Sequence, residues 1–110
     1  MTAPMTRAAI DGLETVGFVL DTFPERWTKD VAFRDEREAP IKTPDGACFA
    51  CVLGMVRIAI PDTSTRQIAR HALERETGGI VSEYNDARRR TVAEMRLLIE
   101  RTIARLRAGK

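Results

Sequence analysis

The sequence predicts an all-α fold, a small single domain of about four helices around a buried central helix at residues 47–60, with a long irregular segment over 25–46. Three observations lead there. From Ala47 to Ile60 the chain reads ACFACVLGMVRIAI, in which thirteen of fourteen residues are Ala, Cys, Gly or larger apolar types and only Arg57 is charged. A helix that is apolar all round is buried in protein or membrane, and at roughly 21 Å this one is too short for the ~20 residues that cross a bilayer. The flanking segments repeat apolar residues at spacings of three and four and end on helix-stop residues. The one stretch with strand-like alternation is short and has no evident partner.

The elements follow in order. From about Thr6 to Phe23, Ile10, Leu13, Gly17 and Leu20 form one buried stripe, and Pro24 closes the helix. Over 25–46, Trp27, Val31 and Phe33 are apolar anchors among charges, while Pro40, Pro44 and Gly46 favour irregular backbone. A loop of this length is more often functional than incidental. Asp45 is a natural N-cap for the central helix. Beyond Pro61, Ser64 and Gln67 have capping-box spacing, and Ile68, Ala72 and Leu73 give the next helix its stripe before Gly78 and Gly79 end it. Ile80, Val81 and Tyr84 suit a single helical turn. Thr91 and Glu94 form a second capping box, which opens a helix carrying Met95, Leu98, Ile99, Ile103 and Leu106.

The chain has 110 residues with apolar and charged fractions of 44% and 31%, values of an ordinary globular protein that needs no disulfide or metal staples. The first residues lack the basic start and apolar run of a signal peptide, and two cysteines inside an apolar run suit a reducing compartment, so a cytoplasmic location is expected, with no membrane partner. Residues 1–60 hold seven Lys/Arg against nine Asp/Glu and residues 61–110 eleven against seven, so the halves are about −2 and +4. That is a mild dipole rather than the one-signed field of a dedicated nucleic-acid binder.

Several landmarks fall in order: Trp27, the AFRD element Ala32–Asp35, CVLG at Cys51–Gly54, Tyr84-Asn85-Asp86, then Arg90-Thr91 and Glu94. In this the chain resembles a family of small uncharacterised bacterial and phage helical proteins, over roughly residues 27 to 106. Phe33 interrupts that family's Ala-Arg-Asp element, Tyr84 stands where it usually has Trp, Arg88 and Arg89 replace a neutral turn, and Cys48 is extra. The resemblance implies a helical fold and no particular chemistry.

Each group of reactive or charged residues has a plainer structural role beside its functional one. Cys48 and Cys51 have redox-pair spacing but lack the strand-turn-helix setting of such pairs, so they read as core filler. A zinc site would have only His71 to add to the thiols. Cys48, His71 and Asn85 or Asp86 hold the ingredients of a thiol-hydrolase triad without a local oxyanion hole. Asp35 and Asp86 are too few oxygen ligands for a hard cation. No catalytic residue, cofactor or metal is therefore expected. Arg88, Arg89, Arg90 and Arg96 can meet phosphate, which makes a nucleic-acid-binding accessory protein the alternative, although Glu94 and Glu100 lie four residues from Arg90 and Arg96 and can pair with them. The favoured reading is a non-enzymatic protein-binding or regulatory module, encoded by a phage or mobile element and acting on a host factor. Its candidate contacts are Trp27, Phe33, Arg34, Asp35, Tyr84, Asn85 and Asp86, a set of aromatic and charged residues typical of interfaces.

Overall fold

Helix α1, Pro4–Thr22, is the element on which the others lean. Proline in its first turn starts it, and it buries Ala9, Ile10, Leu13, Val16 and Leu20 along one stripe. Helices α2 (Val52–Ala59), α3 (Thr63–Thr77) and α5 (Val92–Arg107) all pack against it. The computed structural model describes residues 3–109. The closest approach is at Gly12, where a Cβ would lie 2.2 Å from Cγ1 of Ile60, so α1 carries glycine where the end of α2 crosses it.

The caps explain where the later helices begin and end. Asp62 accepts from Thr65 N and Thr65 Oγ1, and so caps α3 in place of Ser64 and Gln67. These hydrogen bonds hold the Asp62 carboxyl below its ordinary range. Gly78 ends α3 in the left-handed conformation, at φ 75°. Helix α4, Val81–Asp86, is a turn and a half. Thr91 and Glu94 form the expected capping box at the start of α5, and the backbone amide of Thr91 depresses the Glu94 carboxyl.

The fold is mostly helical, but it is not all-α. Strands β1 (Phe33–Arg34), β2 (Pro40–Ile41) and β3 (Phe49–Ala50) form an antiparallel sheet in the order β2-β1-β3. Phe33 is paired with Ile41 on one side and Ala50 on the other. Segment 25–46 is thus only partly irregular: it holds a 3-10 turn at Pro24–Arg26 and the β1–β2 hairpin. The partner that β1 needed lies partly outside that segment, at the start of the apolar run. Pro40 is tolerated because β2 is an edge strand.

The expected central helix at 47–60 is corrected as well. Its first residues join the sheet, with Cys48 N donating to Arg34 O, Cys51 N to Ala32 O and Thr28 N to Ala50 O. The helix begins only at Val52, capped by Cys51 rather than Asp45. The run is apolar because a buried strand and a buried helix stand end to end in it, and α1 occupies the hub. Val52, Val56 and Ile60 are buried, Leu53 is half-buried, and Ile58 is 51% exposed. No helix among the described residues is long and apolar enough to cross a membrane.

Sheet and helix meet at Gly54, where a Cβ would lie 2.4 Å from the carbonyl oxygen of Ala32 and 3.0 Å from the Phe33 ring. Gly54→Ala is expected to lower stability by about 1–3 kcal/mol, since the obstacle is backbone. Gly79→Ala meets open space and should lie within about 1 kcal/mol of the parent. Denaturant midpoints of the two variants check this, and equal midpoints would contradict the close packing at Gly54.

Candidate functional site

Three of the residues singled out by sequence order, Trp27, Asn85 and Asp86, meet at one buried amide. Asn85, in α4, is fully buried, and its four hydrogen-bonding positions are all used. Oδ1 accepts from Trp27 Nε1 at 2.7 Å and from Val52 N, the first residue of α2, at 3.1 Å. Nδ2 donates to Thr28 O at 3.1 Å and to Asp86 Oδ1 at 2.8 Å. The same Asp86 oxygen accepts from Asp30 N at 2.8 Å, where Asp30 takes a positive φ of 73°. Lys29 donates to Ala87 O at 2.7 Å.

Around this junction, Arg34 donates to Thr28 Oγ1, Lys29 O and Glu38 O, so it pins the loop to the hairpin. Asp35 accepts from Arg37 N and Ala39 N within the hairpin turn. Arg90 stacks on Tyr84 at 3.6 Å, donates to Tyr84 O and pairs with Glu94. Of the seven candidate contact residues, Phe33 and Asn85 are fully buried and the other five are half-buried. Trp27, Arg34, Asp35, Asn85 and Asp86 each hydrogen-bond to other parts of the chain.

The two cysteines, expected together in the core, lie on either side of β3, with Cys51 at the N-cap of α2. Cys51 is buried, its Sγ accepts from Gly54 N at 3.4 Å, and burial pushes its thiol pKa up despite that hydrogen bond. Cys48 is exposed, just before β3, in which Phe49 is half-buried and Ala50 buried. The hydrolase ingredients are scattered: Cys48 borders one hollow, exposed His71 another beside Leu53 and Ile80, and Asn85 has no free acceptor to orient a histidine. Asp35 and Asp86 hold different backbone amides, and no group of three metal-ligating side chains occurs among the described residues. In the arginine row, Arg90 pairs with Glu94, Arg96 with Asp21, Arg105 with Glu76 and Arg107 with Glu14, so Arg96 reaches across to α1 instead of to Glu100. Arg88 and Arg89 are exposed, and neither has a carboxylate partner among the described residues.

A different surface emerges where α1, β3 and α2 meet. A half-open cleft of about 250 Å³ has Val16, Val19, Ala50, Met55 and Ile58 as its apolar walls. Among the described residues Arg26 is the one charged residue lining it, and exposed Cys48 stands at its mouth. The Arg26 guanidinium lies 4.5 Å from the centre of the Phe23 ring, which in turn meets Phe18 edge-on at 6.4 Å. Phe18 is 60% exposed, and it lines a separate hollow between α1 and α5 rather than this cleft. Comparison with family models, curated proteins and solved structures finds no match to this chain.

Asn85→Ala strips partners from Trp27 Nε1, Val52 N and Thr28 O, at about 1–3 kcal/mol for each group left buried and unpaired. A stability loss of about 2–5 kcal/mol in urea is expected, and one below about 0.5 kcal/mol would contradict the junction's role. Asn85→Asp removes both donors and sets a carboxylate beside Asp86, so its deficit should be largest at neutral pH and shrink as acid neutralises the pair. In the native protein, a maleimide should label Cys48 rapidly and Cys51 only at the rate of unfolding, as mass spectrometry of the labelled peptides would record.

Proposed function

We propose that the protein is a small non-enzymatic binding module that docks a protein partner in the cleft between α1, β3 and α2. The observation that supports this is a half-open apolar cleft with a large exposed side chain, Ile58 at 51%, in its wall, on a chain of only 110 residues. An apolar hollow left open on a small surface marks an interaction site. Volume separates a docking pocket from a small-molecule site: enclosed ligand pockets run to ~300–1,000 Å³ and bury most of their ligand. At about 250 Å³ and half open, this cleft suits one or two anchoring side chains of a partner, as in a hot-spot pocket ringed by neutral contacts.

The Asn85 junction supports the same reading from below, because it fixes the N-terminus of α2 and hence the wall that carries Met55 and Ile58. Pre-set walls reduce the ordering cost of association. The nucleic-acid reading retains exposed Arg88 and Arg89, while Arg90 and Arg96 are engaged with carboxylates.

Immobilised protein and its Ile58→Glu variant, compared by quantitative mass spectrometry of what each retains from host extract, test the proposal. Ile58 is half exposed, so the variant should fold. A specific partner should be enriched on the parent and fall by about tenfold or more on the variant, in line with the loss of one pocket contact. Retention unchanged by Ile58→Glu would sink the cleft as the docking site.

A further inference from the structure

We infer that the cleft between α1, β3 and α2 recognises an acidic segment of its protein partner, with a bulky apolar side chain seated between Val19 and Met55 and a neighbouring carboxylate on Arg26. This rests on the docking reading above and specifies the partner's chemistry.

Charge complementarity carries the inference. The cleft lining is apolar apart from Thr15, Cys48 and Arg26, and Thr15 Oγ1 is already donating to Asp11 O at 3.2 Å. Arg26 is therefore the only lining group able to meet a full charge. It has no carboxylate partner among the described residues, in contrast to Arg90, Arg96, Arg105 and Arg107. Stacking on Phe23 holds its guanidinium at the cleft edge while leaving its N–H donors free, an arrangement suited to a carboxylate fork. Arg57, next to Ile58 in α2, does not line the cleft and lies 5.8 Å from the centre of the Phe33 ring, so Arg26 alone sets the charge preference. The nearest acids in sequence, Glu25 beside Arg26 and Asp11 one turn before Thr15, do not line the cleft.

Geometry defines the apolar half. The α1 wall from Thr15 to Val19 is one helical turn, so the contact is a short anchor rather than a long groove. One large side chain fits the space between α1 and α2. A segment of alternating or helically spaced Leu or Phe with Asp or Glu meets both requirements. A basic segment meets the first and is repelled by Arg26.

Two short fluorescein-labelled peptides form the test, carrying Leu and Phe at identical helical spacing and differing only in whether the intervening residues are glutamate or lysine. Binding is read by anisotropy and by protection of Cys48 from maleimide, since that thiol stands at the cleft mouth. The glutamate peptide should bind about tenfold more tightly than the lysine peptide and slow Cys48 labelling, with a preference that fades as salt rises. Arg26→Glu should reverse the preference, while Arg7→Glu, the same charge change at an exposed position of α1 outside the cleft, should leave it intact. Equal binding of the two peptides, binding by neither, or an unaltered preference in Arg26→Glu overturns the inference. Extract capture lost with Ile58→Glu but insensitive to Arg26→Glu would overturn this charge assignment while leaving the docking reading in place.

Discussion

A single buried carboxamide holds this molecule's irregular parts in register. Asn85 joins a loop, a helix start and its own short helix through four hydrogen bonds, and none of its polar capacity is left over. Amides buried this deeply are favourable only when fully paired, so the site admits essentially one geometry. Once the loop at Trp27–Asp30 is fixed to Asn85 and Asp86, Thr28 reaches Ala50 and Arg34 reaches back to the loop, and the small sheet has edges to form against. Two-residue strands have too few ladder bonds to persist alone. Their stability is borrowed from the junction and from the buried ring of Phe33.

The junction also explains the short second helix. Val52 N donates to Asn85 and Gly54 N to the Cys51 sulfur, so two of the orphan amides at the start of α2 find side-chain acceptors. The residues upstream are committed to β1, and helical backbone could not satisfy both sets of bonds. Cys51 and Gly54 form a functional pair in this structural sense: the sulfur caps the helix, and the missing side chain three residues later admits the Ala32 carbonyl. Trp27, Cys51, Gly54, Asn85 and Asp86 thus gain a shared physical reason, which is the joining of sheet, loop and the start of α2.

How far the chain could be read in advance follows from the range of each interaction. Helix α1, helix α5 with its Thr91–Glu94 box, and the Gly78 stop depend on residues three or four apart, and periodicity and caps reveal them. The strands were hidden because each is two residues long and β1 pairs across the chain with Ala50, seventeen positions away. The run Ala47–Ile60 misled because strict apolarity reports burial, not helix, and a buried strand running into a buried helix leaves the same trace. Asn85 and Asp86 looked like turn residues, and only their long-range partners, such as Trp27 Nε1, turn them into a core. The cleft was invisible for a related reason: Ile58 and Arg26 lie far apart in sequence, and only the packing of α2 on α1 makes them neighbours of one hollow.

The indole of Trp27, the chain's one tryptophan, has a consequence for how the molecule can be watched. Its N–H is bonded to the Asn85 oxygen, and the Lys29 ammonium sits 5.5 Å from its ring, so its excited state senses both a fixed dipole and a nearby charge. Emission from this chain therefore reports on one joint and is blind to most of the helical scaffold. A blue or red displacement that precedes the loss of helical circular dichroism would be the optical signature of the loop lifting from α4 while α1, α3 and α5 remain assembled, an opening of one part of the molecule seen without any attached dye.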